Sequence, residues 1–405
     1  MPVSHGERAA AMLAEAARHS EPGPGVTRLP FTPAHRSVLE CLTRWMEAAG
    51  LRVHLDAAGT LVGRAEGRAE GPTLLLGSHQ DSVPHGGAYD GILGVVLPIV
   101  ALAALRRAGR QPPLPVEVLA FADEEGVRFP TALMGSRALA GRFDLSALDL
   151  RDADGETLGE AMRRFGLEPA AIAALARRPD TIQGYVEVHI EQGPVLQAAD
   201  EPLGVVTAIC GIERHRVEWR GRAAHAGTTP MAQRRDALAG AAEAVLAVEQ
   251  LARDTPDLMA TVGALQVEPN VVNAVPGAVS FTLELRSPED QRRAEAAQHI
   301  KQRLQTIASD RRLEIRSERT YQQRAQPCDQ ALMERLQDAA GREAPRLPSG
   351  ATHDASAMSD LCPMAMLFVR CRDGISHHPD EAVLTDDLDR AVRTLIQLIE
   401  AFESA

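Results

Sequence analysis

Strand and helix patterns that alternate along the N-terminal third predict an α/β fold, and a later β-α-β-β-α-β run predicts an inserted ferredoxin-like α+β domain. Three observations carry this. Apolar runs of strand length, Leu74–Gly77 and Val116–Ala122, flank a long apolar helix pattern from Ile92 to Leu105. From about Ile212 to Tyr321 the order of patterns becomes strand, helix, strand, strand, helix, strand. After residue 328 the α/β character resumes, so the 405-residue chain reads as a discontinuous domain, 1–211 and 328–405, interrupted by 212–327. That length exceeds what one hydrophobic core usually serves.

The elements follow in order. Gly6–His19 is alanine-rich with charges spaced for a surface helix, and Glu21-Pro22-Gly23-Pro24-Gly25 breaks it. Thr32 is an N-cap with Pro33 in the first turn of a helix running to Ala49; Val38, Leu42, Trp45 and Met46 share its core face. Short strands are expected at Val53–Leu55 and Leu61–Gly63. Asp144–Gln183 is charged and alanine-rich, which suggests one or two surface helices. In Tyr185–Ile190, Val186, Val188 and Ile190 alternate with Tyr185, Glu187 and His189, placing the histidine on a polar strand face. The inserted part has strands at Arg214–Arg220, Met259–Val267, Val279–Arg286 and Leu313–Tyr321, with helices Arg235–Leu251 and Glu289–Ala308. A helix (Ala331–Ala340), a strand (Ala365–Val369) and an amphipathic helix (Asp386–Glu403) close the chain.

Composition narrows the function classes. A formal charge of −12 disfavours nucleic acid and anionic membranes, which call for a basic face, and 3% aromatics leave little for base stacking. Cys41, Cys210, Cys328, Cys362 and Cys371 are scattered and odd in number, so they read as buried thiols in a reducing compartment. The polar N-terminus lacks an apolar leader, and no apolar run reaches membrane-spanning length. The expectation is a cytoplasmic protein.

The chemistry gathers after the strands. His79 ends an apolar run, Asp81 follows it, and a glycine-rich loop brings Asp90 to the start of the next helix. Imidazole and carboxylate together suit zinc, manganese or cobalt. Asp123-Glu124-Glu125 follows the next buried strand. Neighbouring side chains there point apart, so one carboxylate can bind metal while the other serves as general base. His189 ends a third strand, and the His377-His378 pair follows a fourth; which of that pair serves is open on chemistry alone. Five such donors with a bridging carboxylate can serve two metals, and Asp81 is spaced to orient His79. In the inserted part, His225 lies on a small-residue loop, Asn273 precedes a turn, and Arg286 ends a strand.

Taken in order, His79-Gln80-Asp81, Asp90-Gly91, Asp123-Glu124-Glu125-Gly126, His189-Ile190-Glu191-Gln192-Gly193, His225-Ala226-Gly227-Thr228-Thr229-Pro230-Met231 and Gly374-Ile375-Ser376-His377 resemble a known family. It is that of the dinuclear-metal amidohydrolases related to aminoacylase and carboxypeptidase, in the hydantoinase/carbamoylase branch. That branch holds allantoate amidohydrolases, N-carbamoyl-L-amino acid hydrolases and β-ureidopropionases. The resemblance covers about Gly25 to Glu400, and the segments Ala120–Pro130 and Met366–Cys371 look most like bacterial allantoate amidohydrolases.

The resemblance implies a metallopeptidase-like catalytic domain holding two divalent ions (Mn2+ or Zn2+, or Co2+) on His79, Asp90, Glu125, His189 and His377, with Asp90 bridging. Glu124 would be the general base, the peptide after Asp90 would be cis, and His225 would stabilise the tetrahedral intermediate, often in a partner subunit. Gln192, Asn273 and Arg286 would hold a small carboxylated ureido substrate, with Gly350 or its neighbours lining the pocket. A homodimer built through residues 212–327 would follow. The sequence departs from the family pattern at Thr60, Thr352 and Glu284, where asparagine, glycine and aspartate are usual. The expected reaction is hydrolysis of allantoate to ureidoglycine, ammonia and carbon dioxide. The alternatives are an N-carbamoyl-L-amino acid or β-ureido acid hydrolase and, more remotely, an idle metal-binding interaction protein.

Overall fold

The computed structural model describes residues 3–402. The chain divides into two compact units, one of residues 1–207, 328–347 and 351–405, the other of 208–327 and 348–350.

The first unit opens with α1 (His5–Ala16), whose N-terminus is closed by a capping box between Ser4 and Glu7. Thr32 caps α2 (Pro33–Ala48) by accepting from the His35 N–H. Strands β1 (Arg52–Leu55), β2 (Leu61–Ala65) and β3 (Thr73–His79) lead to α3 (Ile92–Arg107), then β4 (Val116–Phe121). Nearly every α3 side chain is buried, as expected of a helix apolar on all faces. Its Val and Leu side chains contribute about 1.5–3 kcal/mol each relative to exposure.

After α4 (Met134–Leu139), residues 144–181 form α5 (Leu158–Arg164) and short 3-10 turns. Of the one or two surface helices expected there one forms, and Gly155, Gly166, Pro169 and Pro179 interrupt the rest of the segment. Then come β5 (Ile182–Ile190), α6 (Val195–Ala199) and β6 (Leu203–Ile209), a strand that the sequence reading missed.

In the second unit, β7 (Gly211–Arg220), β8 (Ala224–His225), α7 (Ala237–Asp254), β9 (Met259–Glu268), β10 (Ala274–Val275), β11 (Ala278–Ser287), α8 (Asp290–Asp310), β12 (Glu314–Gln323) and β13 (Gln326–Pro327) follow. Four strands form an antiparallel sheet in the order β12-β7-β11-β9. Trp219, Phe281 and Leu285 pack there with Ala241 and Val248 of α7 and Ile300 and Leu304 of α8. Two helices on such a sheet make the ferredoxin-like arrangement.

The return adds α9 (Gln330–Ala340), β14 (Arg346–Ser349), α10 (Asp354–Met358), β15 (Met364–Val369) and α11 (Thr385–Glu400). Glu403, read from sequence as the end of the last helix, lies outside the described residues. The main sheet of the first unit runs β1-β2-β4-β3-β5-β15-β6. Its four central strands, β4, β3, β5 and β15, are parallel. Both faces of β5 are therefore covered, and the expected polar face is buried: Tyr185 and Glu187 are 0% and His189 1% exposed. Among the described residues no helix is long and apolar enough to cross a membrane.

Candidate metal centre

In a parallel sheet, ligand sites form beyond the carboxyl ends of the strands. Here all four parallel strands end in a chemically active segment. His79 ends β3, Asp123–Glu125 follow β4, His189 lies next to the end of β5, and a 3-10 turn after β15 leads to His377.

These residues converge within the first unit. Donor atoms of His79, Asp90 and His189 lie within 4.8 Å of one another, and so do those of Asp90, Glu125 and His377. Asp90 belongs to both groups. Its Oδ1 is 3.0 Å from His189 Nε2 and 3.6 Å from His79 Nε2, while Oδ2 is 3.2 Å from His377 Nε2. His377 Nε2 is 3.5 Å from Glu125 Oε1. A third group joins Glu124 to His79 and Glu125. Both histidines of the pair are exposed, but His377 sits in the cluster, whereas His378 faces Asp380 at 3.6 Å.

The local fold aims the rings. His79 Nδ1–H donates to the Asp81 carbonyl at 3.0 Å and His189 Nδ1–H to the Ile190 carbonyl at 2.9 Å, so each Nε2 faces Asp90. The orienting role expected of the Asp81 carboxylate thus falls to its main-chain carbonyl. The carboxylate is 3.8 Å from the ring and instead accepts the N–H groups of Glu124 and Glu125, each at 3.2 Å. Gly91 turns the chain at φ 66° directly beside His79, where a Cβ would come within 2.3 Å of the ring. The expected cis peptide after Asp90 is not found; among the described residues the one cis bond is Glu268–Pro269. The turn is made instead by glycine's positive φ.

Electrostatics favour a cation. Burial opposes charge on Asp90, yet hydrogen bonds from His189 and His377 hold its carboxyl well below the usual range. The hydrogen bond to Asp90 pushes His377 up to about 9. Burial opposes the charged form of His189, but Asp90 still raises it to about 9. Burial pushes Glu125 up to about 7. A pocket whose carboxylates pull positive charge onto two imidazoles, with three-donor groups of borderline type, fits divalent ions.

The remaining expected residues are placed as follows. Gln192, at φ 57°, donates from Nε2 to Asp90 Oδ2 at 3.1 Å and to Ser376 Oγ at 3.2 Å. Thr352 and Thr60 are in the first unit, and the Thr60 hydroxyl is buried without a partner. His225, Asn273, Arg286 and Gly350 belong to the second unit. There β8 pairs with β10, and the Asn273 carbonyl accepts from the Ala226 N–H. His225 is exposed, and its Nδ1 accepts from Gly227 and Thr228, which leaves the proton on Nε2. Arg286 donates to Glu284 at 2.7 Å and to the Gly350 carbonyl.

Two supporting residues escaped the sequence reading. Ser376 donates to Asp90 Oδ2 at 2.8 Å, and it stood next to His377 in the motif. Glu187 accepts from Ser78 Oγ at 2.6 Å and from the Ala355 N–H at 2.8 Å. It shares a strand face with His189, two residues on.

Imidazole and carboxylate donors gathered at the strand ends of an α/β sheet make a site suited to divalent metal ions. Residues 75–401 match the family model described as peptidase family M20/M25/M40, and the chain belongs to that family. It is 41% identical over 371 residues to an N-carbamoyl-L-amino acid amidohydrolase of Geobacillus stearothermophilus, covering 91% of each chain. It is 37% identical to an allantoate deiminase of Arabidopsis thaliana, over 98% of this chain and 82% of that one. A crystal structure of a hydantoinase/carbamoylase family amidase from Burkholderia multivorans superposes with a TM-score of 0.91 at 35% identity, over 98% of both chains. By these relationships the chain is a hydrolase of carbon–nitrogen bonds other than peptide bonds.

Proposed function

We propose that the chain hydrolyses a ureido C–N bond in a small carboxylated substrate, allantoate in the first instance, with two divalent ions (Mn2+ or Zn2+, or Co2+) per subunit. The observation that carries this reading is Asp90, whose two oxygens face two separate donor groups. One ion would be held by His79, Asp90 and His189, the other by Asp90, Glu125 and His377. Bound there, the ions would supply Lewis-acid polarisation of the carbonyl and acidify water at neutral pH.

The protein's own groups do the rest. Glu124 draws a proton from the attacking water and returns it to the leaving nitrogen. Its side chain is buried and stands beside His79 and Glu125, next to the proposed ions. The C–N bond breaks to release ureidoglycine and carbamate, and carbamate falls to ammonia and carbon dioxide. His225, with its proton on Nε2, would donate to the developing oxyanion. Arg286 and Asn273 would grip the substrate carboxylate, with Gly350 lining that end and Gln192 placed over Asp90. A homodimer through residues 212–327 and a cytoplasmic setting complete the reading, the latter in keeping with five free, buried thiols.

A second reading has its own support. The 41% identity with the Geobacillus amidohydrolase favours an N-carbamoyl-L-amino acid, cleaved by the same groups. Assaying manganese-loaded protein on allantoate beside N-carbamoyl amino acids decides between them by kcat/KM. No turnover of either class would overturn the ureido reading.

A further inference from the structure

One buried side chain ties the loop carrying Asp90 to the loop carrying His377. Glu381 lies four residues after His377 and is 5% exposed. Its Oε1 accepts from the main-chain N–H of Tyr89 at 2.7 Å and of Asp90 at 3.0 Å, while Oε2 is buried with no hydrogen-bond partner. Gly87 supplies the room, since a Cβ there would stand 2.1 Å from Glu381 Cδ.

Burying a carboxylate is costly unless hydrogen bonds offset it. Here the offset comes from two consecutive peptide N–H groups, which meet one oxygen only when the peptide planes on both sides of Tyr89 are fixed. Fixing those planes fixes the N–Cα bond of Asp90 and so narrows the direction its carboxylate can take. That direction decides whether the carboxylate spans the two donor groups, with Oδ1 toward His189 and Oδ2 toward His377, or turns both oxygens to one side.

We propose that Glu381 is a positioning residue for the bridging carboxylate, clamping the Tyr89–Asp90 main chain so that Asp90 is shared between two ions. The proposal rests on the two-metal reading above. The part of Glu381 that acts is one acceptor oxygen, not its charge, and Gly87 is glycine so that this oxygen can reach its place.

The test is Mn2+ titration of metal-free protein, with competition against a chromophoric chelator for affinity and electron paramagnetic resonance for exchange coupling between the ions. Wild type is expected to bind two coupled ions. Glu381→Ala should weaken the second ion by about 10–100-fold, the range for lost outer-shell support, and lose the coupling. Glu381→Gln, which retains an acceptor oxygen, should bind like wild type. Gly87→Ala should reproduce the Glu381→Ala defect with Glu381 present. Circular dichroism of the metal-free variants checks the fold; if Glu381→Ala does not fold, Gly87→Ala and Glu381→Gln decide. Two ions in wild type with unchanged binding and coupling in Glu381→Ala or Gly87→Ala would overturn the proposal alone. A Glu381→Gln variant as defective as Glu381→Ala would overturn the hydrogen-bond role. Fewer than two ions in wild type would overturn the two-metal reading, and the proposal with it.

Discussion

Asp81 sets one carboxylate oxygen against the N–H of Glu124, at 3.2 Å, and its other oxygen against the next peptide N–H in the chain. A single side chain thereby fixes the backbone of the expected general base and of an expected metal donor. Its removal should disturb both. Asp81→Ala is expected to lower kcat and metal affinity by about 10–100-fold. Asp81→Asn keeps one acceptor oxygen and should lose less, as steady-state kinetics and chelator competition would show.

Glu124 should separate chemistry from binding. Glu124→Gln is nearly isosteric but cannot take a proton, so kcat should fall by about 10²–10⁴-fold. Bound metal, counted by elemental analysis, should be unchanged. Retention of most activity with full metal would remove Glu124 from the mechanism.

Arg286 is paired with Glu284 and the Gly350 carbonyl. If it grips the substrate carboxylate, Arg286→Ala should raise KM with a smaller change in kcat. Turnover of the uncharged amide analogue should change little. Removing a charged hydrogen bond is worth about 1.5–3 kcal/mol, or roughly 10–100-fold in KM. An equal loss on the neutral analogue would contradict the assignment.

Stability should carry a pH signature from His35. Its ring is fully buried, its Nδ1 accepts from the Phe31 N–H at 2.8 Å, and burial with Arg28 and Arg36 nearby pushes its value down from 6.5 to about 3. The unfolded chain therefore binds a proton between pH 3 and 6.5 that the folded chain refuses. Stability from this group is fully present above 6.5 and is lost as pH falls toward 3, by about 1.4 kcal/mol per unit. His35→Asn keeps an acceptor for Phe31 without the titration. Its unfolding free energy should show a pH slope shallower by about one proton over that window; an unchanged slope would contradict the burial argument.

Much of the centre was legible because apolar runs announce strands and a parallel sheet puts its chemistry at their ends. His79, Asp90, Glu125 and His189 could be read that way. What alternation could not tell was whether the second face of a strand meets water. In β5 it does not, because α10 packs on that face, where its Ala355 N–H donates to Glu187. The choice between His377 and His378 was equally hidden: adjacent loop residues differ only in backbone direction, and His377 takes φ 56°. Strand β6 escaped because Gly204, Thr207 and Ala208 dilute its pattern. Asp81 was found by spacing, but which of its oxygens does which work required the fold.

The most direct measurement is the activity of metal-free protein on ureido substrates as Mn2+ is added. Ammonia release from allantoate or an N-carbamoyl amino acid should rise and level off at two equivalents per chain. Two bound equivalents with no turnover over the ureido panel would contradict the central claim.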